Sequence, residues 1–361
     1  MPGMKPYWTA LLLLPLGCAS IPGPESAPLD SLVDRLFADY GDGRVPGAAV
    51  LVMEGDQVLV RKGFGAADLE RSVPITPETG FRLASISKQF TAMAILLLEE
   101  EGRLSLSDPV SRWLPGLPAW SERVKISHLL THTSGIADYE DHLPEGLDRQ
   151  LLDEDVRKIL ASLPETHFAP GEGYRYSNSG YALLARIAEE AAGESFAALL
   201  ESRIFAPLSM TGTVAHVEGV DEVASRAFGH SRRAGEWDRT DQSRTSAVLG
   251  DGGIYSSIDD LAWWAREILA PRFLPARLVA EAIRPRIDTG EEGIRYGYGW
   301  RTLERDGMTV VGHTGETIGF RNAMVLVPER DVAVIVLTNR NEGAPLPVAL
   351  ELARAAAGRG E

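Results

Sequence analysis

The order of segments along the chain is its strongest constraint. The tail reads as four strands in succession, Tyr296 to Glu304, Met308 to His313, Phe320 to Val327 and Val332 to Thr338. Asp306-Gly307 and Pro328-Glu329-Arg330-Asp331 supply tight turns between them. Strands joined this closely run antiparallel, because a parallel return needs a crossover of about a dozen residues or more. Near the other end, Ala48 to Met53 and Gln57 to Arg61 flank a Glu54-Gly55-Asp56 turn and read as two more strands. Leu29, Leu32, Val33, Leu36, Phe37 and Tyr40 form one helical face suited to packing on a sheet. A last helix, Leu346 to Ala356, is placed to cover a face of the same sheet. Between these ends, residues 147–206 read as helices broken by Pro164, Pro170 and Gly193. The layout is α+β: an antiparallel sheet built from both ends of the chain and flanked by helices, plus a helical lobe. We expect the sheet lobe to take about 29–80 and 290–361, the helical lobe about 81–289, and the site to lie where the lobes meet.

With 361 residues, 44% hydrophobic, the chain is ample for a large core. A net charge of -15 lacks the basic footprint that nucleic-acid binding wants. Residues 1–17 are set aside as a signal peptide: Lys5 is a short positive region, and Trp8 to Leu14 is apolar but too short to span a bilayer. Leu14-Pro15-Leu16-Gly17-Cys18 resembles a bacterial lipoprotein processing box, so Cys18 is a lipidation candidate. As the sole cysteine it excludes an intramolecular disulfide. Residues 18–28 then read as a flexible tether. The expectation is an exported protein of the periplasm or cell envelope, held to a membrane through a lipid anchor only.

The chemistry begins at Ser85-Ile86-Ser87-Lys88. Phe90, Met93, Ala94, Leu97 and Leu98 follow at three- and four-residue steps, and Gly102 closes the helix. Ser85 falls at or just inside the helix N-terminus, with Lys88 one turn later on the same face. A serine hydroxyl needs a neighbouring base, and a lysine serves if burial or nearby cations make it neutral. Unpaired N–H groups at a helix start suit an oxyanion. Ser-x-x-Lys alone is weak, since a chain this long holds about one by chance. It gains weight because the lysines are only Lys5, Lys62, Lys88, Lys125 and Lys158, while arginine carries the remaining basic positions. Arginine does not deprotonate in proteins and cannot act as the base.

Two further polar groups stand out. Tyr176-Ser177-Asn178 lies in a turn-rich loop feeding a helix, where a phenol can relay a proton and an amide can orient a lysine or a carbonyl. His313-Thr314-Gly315 ends a strand. His128 and His132, four apart, could share a helix face, but Leu129 stands where a zinc motif wants glutamate. No metal and no cofactor is expected; the histidines are read as fixing the loop that follows. Gly250-Asp251-Gly252-Gly253 lacks the lysine of a phosphate loop and reads as a structural turn near the site, before an amphipathic helix, Ile258 to Leu269.

In this order, Ser85-x-x-Lys88, Tyr176-x-Asn178 and His313-Thr314-Gly315 resemble the penicillin-recognising serine hydrolases: class C β-lactamases, D-alanyl-D-alanine carboxypeptidases, and the esterases and D-aminopeptidases of that fold. The stretches His128 to Gly135, Gly252 to Ser256 and Tyr296 to Trp300 also look like that group. The resemblance implies a β-lactamase/DD-peptidase-like fold and an acyl-serine reaction on an amide, ester or β-lactam carbonyl. It implies Ser85 as nucleophile, Lys88 and Tyr176 sharing acid–base work, Asn178 holding Lys88 and the substrate, and Thr314 and Gly315 lining a strand edge. The N–H groups of Ser85 and Glu316 would form the oxyanion hole. His313 departs from the usual lysine and carries no permanent charge. Arg301 is a candidate for the missing cation, binding a substrate carboxylate. The partner expected is a small molecule or peptide, with peptidoglycan among the candidates. A tethered protein that acylates on peptidoglycan or a β-lactam without turning over would keep the same residues.

Overall fold

The computed structural model describes residues 27–358 apart from Asp42, Leu147 and Glu218. The expected signal peptide and Cys18 lie outside the described residues. The first helix, α1 (Ala27–Leu36), already includes two positions assigned above to the tether. Strands β1 (Ala48–Glu54) and β2 (Gln57–Phe64) follow. Helices α2 (Lys88–Glu100), α3 (Asn178–Ala192) and α4 (Ile258–Leu269) are the longer ones of the middle. The remaining strands of the main sheet are β3 (Ile287–Asp288), β4 (Ile294–Tyr296), β5 (Arg301–Arg305), β6 (Met308–Thr317), β7 (Phe320–Val327) and β8 (Val332–Thr338). Helix α5 (Pro345–Ala357) closes the chain.

Among the described residues the sheet has eight strands in the order β3-β4-β5-β6-β7-β8-β1-β2, each pair antiparallel. Alternate residues of a strand face opposite sides, and here both sides are covered. Val50, Val52, Val325, Val334 and Val336 join Leu29, Val33 and Leu352 from α1 and α5 in one core. Leu51, Met53, Met324, Ile335 and Leu337 join Phe90, Leu261 and Trp264 from α2 and α4 in the other. Every residue of β8 is buried, as a strand between two helical layers requires.

One expected strand is broken. The single run Tyr296 to Glu304 is two strands, separated by Gly297 to Trp300. Gly299 has φ +80, and a Cβ there would stand 2.6 Å from the Lys88 carbonyl oxygen. The chain leaves the sheet at this point to pass directly over the start of α2, a course that needs glycine. In the other direction, β6 runs four residues beyond the expected His313. Its pairing with β5 ends at Gly312 opposite Arg301, whereas pairing with β7 continues to Thr317 opposite Phe320. Residues 313–317 are therefore sheet on one side and open on the other.

Candidate active site

Ser85 is delivered by a turn that is held from several directions. Phe81 and Arg82 pair with Ser256 and Tyr255 in a small sheet, and the Leu83 amide donates to the Ile254 carbonyl at 2.8 Å. Ala84 then adopts φ +51, a left-handed conformation that costs a residue with a Cβ about 1 kcal/mol or more and persists where surrounding contacts fix it. Ser85 sits in a 3₁₀ turn, Ala84–Ser87, ahead of α2 rather than in the helix itself. Buried polar bonds lock that start in place: Ile254 N–H to Ser87 Oγ at 3.3 Å, and Thr91 Oγ to the Gly250 carbonyl at 2.7 Å.

Lys88 is completely buried, and its Nζ reaches three oxygens: Ser85 Oγ at 3.1 Å, Asn178 Oδ1 at 2.9 Å and the Asp251 carbonyl at 2.7 Å. Two of the three can only accept. If Lys88 is an ammonium, its three hydrogens meet three acceptors. If it is neutral, the two carbonyls take both hydrogens and the lone pair faces the Ser85 hydroxyl. The geometry thus directs the free base at one proton.

Asn178 opens α3, its own N–H donating to Asp138 Oδ2 at 2.7 Å. Tyr176 lies across the lysine, whose Nζ is 5.0 Å from the centre of its ring. The Tyr176 hydroxyl is buried and has no hydrogen-bond partner among the described residues. His132 fixes the Tyr176 loop: its Nδ1 accepts from the Ser177 amide at 3.1 Å and its ring lies 4.3 Å from that of Tyr176. The helix Ile126–Leu130 stops before His132, which has φ +57, so the two histidines do not share a helix face. Burial, reinforced by Lys88, His313 and Arg301, pushes the His132 imidazole well below its usual range.

Across the cleft stands β6. His313 Nδ1 lies 2.6 Å from the Thr314 carbonyl, which only accepts, so Nδ1 carries the hydrogen. Burial, with Arg301 next, lowers the imidazole pKa to about 3. Neutral His313 then accepts the Tyr296 hydroxyl at Nε2, 3.1 Å away. Arg301 stands 5.8 Å over the Tyr176 ring and pairs with Glu291 at 3.0 Å. Gly315 is pressed against the turn that carries Ser85: a Cβ there would lie 1.9 Å from the Leu83 carbonyl oxygen. Gly315→Ala is expected to force β6 off that turn, slowing acylation by on the order of 100-fold and costing about 1–3 kcal/mol in stability. Thermal melts and acylation rates check both; an active, unshifted variant would break the claimed contact.

The structure gathers the predicted residues unevenly. Ser85, Asn178 and Glu316 line one cleft together with Ala84, Glu140, Asp251 and Thr317. Arg301, His313 and Thr314 line an adjoining cavity of about 340 Å³ bounded by residues of β5, β6 and β7, with Glu316 shared as the common wall. The Glu316 carboxylate itself turns to Arg321 at 3.3 Å. Sequence reasoning missed Tyr296, Asp138 and Asp251. Tyr296 opens a stretch noted only for its likeness to the family and given no role, Asp138 lies in a segment with no motif of its own, and Asp251 was passed over inside a glycine-rich turn read for its backbone alone.

Comparison with known proteins extends over nearly the whole described chain. The family described as Beta-lactamase matches residues 33–359. A penicillin-binding protein of Bacillus subtilis is 32% identical over 86% of this chain and 72% of its own length. A D-aminopeptidase of Gluconobacter oxydans is 31% identical over 91% of this chain, which spans only 62% of that protein. Among solved structures, the octameric penicillin-binding protein homologue from Pyrococcus abyssi superposes with a TM-score of 0.80 at 29% identity, covering 93% of this chain and 77% of that one.

Proposed function

Because this chain belongs to the beta-lactamase family of serine hydrolase-fold proteins, we propose that it is an acyl-serine hydrolase of the peptidase and esterase kind. The observation that carries this reading is the Lys88 arrangement, with two acceptor-only carbonyls directing its remaining valence at Ser85. Ser85 Oγ attacks the substrate carbonyl carbon and its proton passes to Lys88 Nζ. Backbone N–H groups of Ser85 and Glu316 take the oxyanion. The leaving amine or alcohol receives a proton through Lys88 and Tyr176, and water then releases the acyl group. Tyr176, whose hydroxyl has no partner among the described residues, can serve in either proton transfer. The open edge of residues 313–317 offers main-chain hydrogen bonds to an extended substrate. Neutral His313 supplies no charge for a carboxylate, so Arg301 takes that part, exchanging Glu291 for the substrate. A peptidoglycan-derived peptide meets these terms and suits the exported location expected from residues 1–18.

Intact-protein mass spectrometry with a penicillin, a D-alanyl-D-alanine peptide and a short-chain aryl ester tests the reading. We expect a covalent adduct on Ser85 that decays fastest for peptide or ester. An adduct that forms and never decays with any compound would make the protein a non-turnover binder instead. In the same assay Arg301→Ala is expected to slow the carboxylate-bearing peptide about tenfold more than the uncharged ester, the worth of one charged hydrogen bond. Equal losses on both would remove Arg301 from carboxylate binding.

A further inference from the structure

The turn that gives Lys88 its third acceptor is built on two carboxyl groups that the acylation chemistry does not use. Asp153, in the helix Asp153–Ala161, accepts the Leu249 and Gly250 amides at 2.9 and 3.0 Å and so caps the single helical turn Leu249–Gly252. Asp251 lies within that turn. Its carbonyl takes Lys88, and its carboxyl lies 2.8 Å from the Tyr139 hydroxyl. Gly250 leaves the turn no freedom to shift, since a Cβ there would stand 2.2 Å from the Tyr181 carbonyl oxygen. The Asp153 and Asp251 side chains are both buried and neither forms an ion pair among the described residues. Burying a carboxyl group in this way costs stability that an apolar residue of similar size would not.

We infer that the Asp251 carboxyl, held by Tyr139 and backed by Asp153, is a positioning group for Lys88: it fixes the turn whose carbonyl takes one lysine hydrogen. The inference rests on the acyl-serine reading above. Burial raises the Asp251 pKa to about 8; Lys88 opposes the shift, Asp153 and Glu140 add to it, and the Tyr139 hydrogen bond opposes it. Burial likewise raises Asp153 to about 7. The titratable groups facing Asp251 are therefore Lys88 from α2, Tyr139 and Glu140 from the turn Tyr139–His142, and Asp153. When pH rises through about 8, Asp251 loses its proton, which puts a buried negative charge into the turn whose carbonyl holds the Lys88 nitrogen. The acylation rate should then fall.

The test is the rate of Ser85 acylation by an aryl ester from about pH 5 to 10, in wild type, Asp251→Asn, Asp251→Ala and Tyr139→Phe, with thermal melts alongside. Wild type is expected to show a decline centred near pH 8. Asp251→Asn keeps a neutral hydrogen-bonding group and is expected to lose that decline, with a far smaller loss at neutral pH than Asp251→Ala. Asp251→Ala and Tyr139→Phe, which let the turn relax, are expected to be slower at every pH by about tenfold to 100-fold. The melts give a second reading: a carboxyl group with a raised folded pKa loses its stability contribution as pH rises, so wild type should weaken toward pH 8 and Asp251→Asn should weaken less. Identical pH profiles in wild type and Asp251→Asn would overturn the inference, as would an Asn variant as impaired as Ala. A wild type that no ester acylates would instead overturn the acyl-serine reading itself, and the inference with it.

Discussion

Ser85→Ala should lose turnover by on the order of 10⁵–10⁶-fold and should form no adduct with any of the three substrate classes. Among the described residues no other hydroxyl can stand in. Ser85 Oγ is the one hydroxyl hydrogen-bonded to Lys88, while Ser87, two residues on, is fully buried with its oxygen taken by the Ile254 amide. The substitution should leave the fold intact, because the side-chain bond lost is the one to Lys88. Intact mass spectrometry after incubation with ester or penicillin, beside a melting curve, decides the matter. An adduct that persists on a folded Ser85→Ala protein would move the nucleophile elsewhere.

Lys88→Arg is expected to be almost as damaging, by roughly 10³–10⁴-fold in acylation rate, although the positive charge is kept. A guanidinium offers no lone pair at neutral pH. It is also planar and larger, whereas three oxygens surround the single nitrogen of a fully buried side chain here. Lys88→Met keeps the length and removes the charge, so comparing the two separates electrostatics from proton transfer. Pre-steady-state acylation is the measurement. An arginine variant that acylates near the wild-type rate would hand the first proton transfer to Tyr176.

What the sequence discloses of this site follows the range of the interactions. Ser85 and Lys88 are legible because their contact is local, three residues apart on one turn. The partners that decide what Lys88 does come from 90 and 163 residues away; the Asn178 pairing is legible only through the family resemblance, and nothing in Asp251 announces that its carbonyl takes the lysine. The strands of the tail are legible by alternation and turn residues, and β7 and β8 fall where the pattern puts them. The break after Tyr296 is not, because apolar aromatic residues continue through it. Its cause is the backbone of α2 passing underneath, which only the folded chain brings there. His313 is legible as a neutral side chain; its tautomer is not, since that depends on Tyr296 and on the Thr314 carbonyl.

The sheet also fixes when the protein can become itself. β1 lies between β2 and β8, with Ala48 opposite Thr338, so an early strand is completed by the last one. The turn that carries Ser85 leans on Gly315, from the same late segment. A nascent chain thus carries Ser85 and Lys88 long before it has anything to hold them in register. Closing so long a loop is entropically costly and slow. The first hairpin must wait as an unsatisfied edge until synthesis is nearly finished, and the site is assembled only with the final strands.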